Sequence, residues 1–374
     1  MLRLKLKYIY ILLILALFSI NCVFAMNSGI ETHNYGSLED SQFNGMWLWG
    51  SHMNKTNLTE LKLHGIDNII IHEDAFTRNS PEDVVKWINE ANSKGIKIHI
   101  WIQCFYKDGN WIKPVLENGS FNRTRFDEII VKAVNYSKIA NVTGIHLDYL
   151  RYGGKAFNAT GGYENACDAI SSLVSELKTN VTSINPNIIL SAAVMPELEN
   201  DTVYFDQNIS SLGTYADEYY YGQNISSLGT YLDYLIPMIY KGNYNKDSSW
   251  IGTTTNKFTQ FSPKAKIIAG LQAYVNDDDP TPLPPQELAF DANIALSNGA
   301  YGVCFFRFGL FNYIDDLYEL NSTDDNTTQI QVENNPISEE NLSNGDNFTN
   351  KTGFPLIILL LLICGLFYGL KKNN

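Results

Sequence analysis

The chain has 374 residues, 45% of them hydrophobic and 18% charged, with a formal net charge of −13. That acidic balance argues against nucleic acid or anionic lipid as a ligand. Its five cysteines show no spacing of the kind that binds a metal.

In chain order, Arg3, Lys5 and Lys7 come first, followed by an apolar run over residues 8–20 and a cleavage point at Val23-Phe24-Ala25. This layout predicts a secretory signal peptide over residues 1–25, which takes no part in the fold. Cys22 leaves with it, and Cys364 falls in the C-terminal apolar run. The three remaining cysteines, Cys104, Cys167 and Cys304, are expected to be buried thiols with at most one disulfide among them.

Residues 40–320 match one barrel domain in size. Short β-rich runs are predicted at 45–50, 68–76, 96–105, 144–152, 188–197, 234–242, 266–274 and 302–311. Amphipathic helical stretches lie between them, for example 81–94, which opens on Pro81, and 165–181. Strands that alternate with helices pair in parallel through right-handed crossovers. Eight such units in this length predict a closed (β/α)8 barrel, and no Gly-rich phosphate loop follows the first strand. The sequence QNISSLGTY occurs twice, at 207–215 and 223–231. One copy suffices for the helix between the fifth and sixth strands, so the other reads as a local duplication that lengthens a βα connection.

After the barrel, residues 321–352 are rich in Asn, Thr, Ser, Asp and Glu and predict a disordered stalk. Five Asn-x-Ser/Thr sequons fall there, at Asn321, Asn326, Asn341, Asn347 and Asn350. An exported chain can be glycosylated at such sites. Residues 354–370 are apolar almost throughout and Lys371-Lys372 follow. Residues 353–374 therefore read as a transmembrane anchor with a short cytoplasmic tail. The chain is expected at the cell surface, with its barrel outside and the membrane as a partner of its C-terminal helix.

In a barrel of this kind the working groups sit at the C-terminal strand ends. Alternation along the fourth strand turns Ile145 and Leu147 toward the helices and His146 and Asp148 inward, with Asp148 nearer the rim. On the third strand Ile98, Ile100 and Ile102 face the helices, leaving His99, Trp101 and Gln103 inside. An acid at the rim among Trp47 or Trp49, Trp101 and Tyr240 suits a sugar, because aromatic faces stack on pyranose rings and a carboxylate can serve as acid, base or nucleophile. Asp148 is the leading catalytic candidate. Glu197, at the end of the neighbouring fifth strand, is the second, with Asp74 and Glu73 in reserve. Gln103 and Tyr240 are expected to hydrogen-bond the sugar, and Trp49, Trp101, Arg151 and Asp74 to line its site. His146, which lies deeper, is expected to be a hydrogen-bonded lining residue that orients Asp148. A metal set of His72, Asp74, His146 and Asp148 has no tight spacing motif behind it, so neither metal nor cofactor is expected. The run Asp277-Asp278-Asp279 reads as a solvated loop.

The fourth-strand segment GIHLDYLRY resembles the signature of glycosyl-hydrolase-like TIM-barrel families, whose usual form is DGIHLDYIRYP. LIPMIYKGNY resembles their PM-x-Y sixth strand and IHIWIQ their third, in order across residues 44 to 312. The resemblance implies a (β/α)8 fold, a distant relation to chitinase-type barrels, and action on a surface or extracellular polysaccharide. By position Asp148 matches the family's acid, Arg151 its arginine, and Met238 and Tyr240 its sixth-strand pair. Thr143 and Gly153 depart from the motif, which has Asp and Pro there. Leu150 occupies the place of the catalytic Glu of chitinase-type barrels and His146 that of their first inner Asp, so a strict chitinase mechanism does not follow. A barrel that binds carbohydrate without turnover is the alternative reading, and a structural spacer without a ligand the third.

Overall fold

A computed structural model describes residues 42–198 and 217–317, apart from 263 and 316. The signal peptide, the stalk, the anchor and the first copy of the repeat lie outside the described residues. Among the described residues no helix is long and apolar enough to cross a membrane.

Eight parallel strands close into a barrel. They are β1 (Phe43–Leu48), β2 (Asn68–His72), β3 (Lys97–Gln103), β4 (Val142–Asp148), β5 (Ile189–Val194), β6 (Tyr234–Ile239), β7 (Lys266–Gln272) and β8 (Gly302–Phe306). Each pairs with its sequence neighbours, and β8 returns to β1 with Gly302 opposite Phe43. The crossovers carry helices α1 (Leu58–Leu63), α2 (Pro81–Ser93), α3 (Arg123–Ser137), α4 (Gly162–Ile184), α5 (Ile225–Tyr231), α6 (Ser248–Phe261) and α7 (Pro285–Ser297). Sequence-local chemistry starts several of them. Ser80 accepts from Asp83 N ahead of Pro81, and Asn122 and Asn224 cap α3 and α5 in the same way.

Alternation along each strand builds two cores. Outward residues such as Ile69, Ile71, Ile100, Ile102, Ile145 and Leu147 pack under the helices. Inward, Phe43, Trp47, Ile70, Trp101, Ile236, Ile268 and Cys304 fill the barrel. Several polar groups inside are paired, while among the described residues His99 Nδ1 has no hydrogen-bond partner. The indole N–H of Trp47 donates to His146 Nε2 at 3.2 Å, and His146 Nδ1 lies 3.0 Å from Ser191 Oγ. Because Nε2 accepts, the ring proton sits on Nδ1 and His146 is neutral. Burial lowers its pKa to about 3, helped by the nearby His99. His146 is thus a hydrogen-bonded lining residue as expected, but its partners are Trp47 and Ser191; the groups that orient Asp148 lie elsewhere.

The sequence pattern carries the strands too far toward the mouth. β4 stops at Asp148, because Tyr149 takes a left-handed φ of 49° that no strand continues. β8 likewise ends at Phe306 and not at 311. In the other direction α4 runs longer than the expected 165–181. Cys104, Cys167 and Cys304 are buried free thiols, so the allowed disulfide does not form among them.

Candidate active site

The mouth is shaped by what holds the strand ends. Arg125, in the first turn of α3 and 4% exposed, donates to the carbonyls of Gln103 and Cys104 at 2.7 and 2.6 Å and so pins the end of β3. Gln223, fully buried just before α5, ties the next two strand ends together. Its amide donates to Leu150 O at 3.1 Å and accepts from Met195 N at 3.0 Å. Leu150 follows Asp148 and Met195 precedes Glu197, so one side chain from the repeated segment braces the loops that bear both candidate acids. The backbone does the same nearby, with Tyr152 N donating to Tyr221 O at 2.9 Å.

Asp148 closes β4, part-buried, with both oxygens occupied by N–H donors. Trp101 Nε1 reaches Oδ2 at 3.0 Å and the Tyr149 amide reaches Oδ1 at 2.6 Å. Burial pushes its pKa above the ordinary carboxylate value, opposed by the Tyr149 amide, the Arg151 charge and the Trp101 indole. Glu197 stands three residues past the end of β5. Its Oε1 accepts from the Tyr244 hydroxyl at 3.0 Å, while Oε2 is enclosed with no hydrogen-bond partner. Burial raises its pKa too, against the hydroxyls of Tyr244 and Tyr221 and the same Arg151 charge. Arg151 makes no ion pair with either acid among the described residues. Its guanidinium rests over the rings of Trp111, Tyr221 and Tyr149, at 4.7, 5.3 and 5.8 Å from their centroids, and donates once, to Tyr152 O. One cation therefore acts on both carboxyls from a distance.

Of the other expected residues, Trp101, Gln103 and Tyr240 lie beside Asp148 and Trp49 lies beside Trp101, whereas Glu73 faces α3 and not the mouth. Trp101 is only 2% exposed, and Trp49 is part-buried with its centroid 4.5 Å from Trp101 and 4.8 Å from His72. Tyr240 is part-buried beside Asp148, its hydroxyl pushed up by burial and by the Asp148 charge, and it stacks on Phe306 at 5.5 Å. Gln103 is part-buried, opposite Asp148 in register. Asp74 has protein partners on both oxygens: Gly50 N at 2.9 Å and His72 Nδ1 at 2.8 Å on Oδ1, and Arg78 on Oδ2. Burial alone would raise its pKa, but the His72 and Arg78 bonds bring it down to about 2. Glu73 faces α3, where Lys132 and the Tyr136 hydroxyl hold it at 2.8 and 3.2 Å. Among the described residues no group of three or more His, Cys, Asp or Glu is placed to hold a metal ion.

Sequence reading missed Tyr221, Gln223, Tyr244 and Trp111. Tyr244 carried a signal as the last residue of LIPMIYKGNY, and Gln223 as the first residue of the second QNISSLGTY copy; Tyr221 and Trp111 carried none. Asp277 was read as solvated and is exposed, yet it is held by the Tyr274 hydroxyl at 2.7 Å and by Asn243 at 2.9 Å, and its charge reaches Tyr240.

Parallel barrel, polar and aromatic mouth and carboxyls at neighbouring strand ends define a (β/α)8 barrel with its candidate site at the C-terminal face. Neither a family model nor a curated protein matches the sequence. Among solved structures it is similar to the glycoside hydrolase domain of PgaB (BpsB) from Bordetella bronchiseptica, at 11% identity and TM-score 0.52, over 72% of this chain and 95% of that one. It is also similar to the endo-1,4-beta-D-mannanase of Thermotoga petrophila RKU-1, at 12% identity and TM-score 0.50, over 71% and 88% of the two chains. The endo-1,4-beta-mannanase of Rhizomucor miehei gives 12% and 0.50, over 71% and 86%. At these identities the likeness is one of fold: the barrel that these glycoside hydrolases share.

Proposed function

We propose that this chain is a glycoside hydrolase that cleaves cell-surface or cell-wall polysaccharide from outside the cell, tethered by its C-terminal apolar run. The observation that carries the reading is the pair Asp148 and Glu197, one at the end of β4 and the other three residues past the end of the paired β5, with unlike surroundings and one shared cation. Two carboxyls in different environments divide into acid and base. Asp148 has a donor on each oxygen, an arrangement that favours the anion, and serves as nucleophile or base. Glu197 has Oε2 enclosed without a partner, and burial raises the carboxyl against the Tyr244 and Tyr221 hydroxyls and its own amide, which favours the protonated form, so it serves as the acid that protonates the leaving oxygen. Tyr240 and Gln103, both part-buried at the mouth, supply hydrogen bonds to sugar hydroxyls. Support for the export and anchor comes from the two apolar runs of the sequence, 8–20 and 354–370.

The test is release of reducing ends from β-1,4-mannan and from purified cell-wall glycans by the full chain, beside Asp148→Asn and Glu197→Gln. Turnover lost in both variants is the expected result. Equal turnover in all three would sink the assignment. Retained glycan binding with no product from any of them, even after long incubation, would favour the carbohydrate-binding barrel without turnover.

A further inference from the structure

The strand pattern points to Trp49 and Trp101 as the rings that meet a sugar, but burial gives them a different position. Trp101 is 2% exposed, and Trp49 packs between Trp101 and His72. Among the described residues the most exposed tryptophan is Trp111, at 38%. It stands on a small hairpin, Tyr106–Lys107 paired with Asn110–Trp111, that rises from the connection after β3. The hairpin leans on the loop that follows Asp148.

Trp111 is fixed in place. Tyr106 and Tyr149 meet it edge-on at 5.3 and 5.6 Å, and these two tyrosines stack on each other at 4.8 Å. The Arg151 guanidinium lies over its ring at 4.7 Å. Gly153 completes the seat. A Cβ there would stand 2.8 Å from Cδ2 and Cε2 and 2.9 Å from Cδ1 of the indole, too close for the ring to stay. Gly153 is also where this chain departs from the motif that it resembles, which has proline. The departure makes room for the ring.

Exposing a large rigid apolar ring costs free energy in proportion to its area, and immobilising it leaves that cost in place unless a ligand covers it. The surroundings indicate what kind of ligand. Beside the ring, Arg151 has spent one hydrogen bond, on Tyr152 O, and remains part-exposed. An indole that is 38% exposed, with a guanidinium packed against it, offers apolar surface and N–H donors together, and that combination fits a pyranose, whose C–H face is apolar and whose hydroxyl edge accepts hydrogen bonds. We propose that Trp111 is the stacking platform for a sugar unit of the polysaccharide, with Arg151 bonding that unit's edge and Gly153 present as glycine so that the ring can lie there. This rests on the carbohydrate reading of the mouth and extends the site from the acid pair onto the hairpin.

The experiment measures binding and turnover of β-1,4-mannohexaose and N-acetylchitohexaose by the full chain in mild detergent, with tryptophan fluorescence and acrylamide quenching. In the parent, saturating glycan should shield a quenchable tryptophan, and that component should be missing from Trp111→Tyr and Trp111→Ala. Trp111→Ala should bind about tenfold or more weakly, from the lost apolar contact. Trp111→Tyr should stay within a few-fold of the parent, and Gly153→Pro, with an unchanged circular dichroism spectrum, should resemble Trp111→Ala. If Asp148→Asn abolishes turnover while Trp111→Ala matches the parent in affinity, the platform falls and the hydrolase reading stands. If the parent neither binds nor cleaves either glycan, both fall.

Discussion

The indole N–H of Trp101 reaches Oδ2 of Asp148 at 3.0 Å, across paired strands, from a ring that is 2% exposed. A ring so placed has its polar edge committed and no face to offer a ligand. It holds the carboxylate in one rotamer and supplies a donor to the anion. Trp101→Phe keeps most of the packing and removes that donor, so the Asp148 carboxyl should rise further. With Asp148 working ionised, the acid limb of kcat/KM then moves to higher pH while the basic limb stays. Activity just above the original acid limb should drop by about tenfold, the scale of one hydrogen bond to a charged group. A pH–rate profile checks it, and an unmoved acid limb would show that the indole does not steady the anion.

Arg151 should behave differently, because its charge reaches both acids. Arg151→Met removes an influence that lowers each carboxyl, so both rise. If Asp148 is the base and Glu197 the acid, as proposed, the acid limb and the basic limb should move together toward higher pH, carrying the whole bell upward. Arg151→Lys keeps a positive charge but loses the planar stack on Trp111, Tyr149 and Tyr221 and should shift the bell less. Movement of one limb alone would mean that the cation serves one acid only.

Gln223 makes a stability prediction. Gln223→Ala leaves Leu150 O and Met195 N without a partner in a fully buried place, which should cost about 2 kcal/mol or more in urea unfolding. Gln223→Glu keeps an acceptor for Met195 N but sets a buried carboxyl oxygen against Leu150 O, so its destabilisation should grow as pH rises and the carboxyl ionises. Turnover should fall beyond what the loss of folded protein explains, since the brace sets the spacing of the acid-bearing loops. Parent-like kcat in a destabilised Gln223→Ala would confine the residue to the fold.

These residues also show where sequence reading stops. IHIWIQ and GIHLD alternate cleanly, so the inward set His99, Trp101, Gln103, His146 and Asp148 was legible, and with it the barrel. Alternation gives direction and not depth, so it could not tell that Trp101 lies under the mouth while Trp111 stands open. Trp111, Tyr221 and Gln223 sit in connections, where no period exists and where long-range partners decide the conformation. The strand ends ran too long for the same reason. Nothing local in LDYLRY announces the left-handed Tyr149, which the hydrogen bonds of Asp148 O and Tyr149 O to Cys104 N and Phe105 N, at 2.7 and 3.0 Å, help to fix.

His146 gives the last prediction, on pH and stability. Its folded pKa is lowered from 6.5 to about 3 by burial. Between those values the unfolded chain binds a proton that the folded chain does not, so stability rises with pH across the window. The stabilising contribution is fully present above about 6.5 and is lost as pH falls toward about 3. The slope approaches about 1.4 kcal/mol per pH unit for one fully differing proton. Asp148 and Glu197, whose folded carboxyls are raised, push the other way at lower pH, so the total curve mixes opposing signs. A difference measurement isolates the histidine. His146→Gln cannot titrate, and its unfolding free energy between about pH 5 and 6.5 should depend on pH less steeply than the parent's, by about one proton. Parallel slopes in urea unfolding at several pH values would mean that the Trp47–His146–Ser191 chain does not hold the ring neutral.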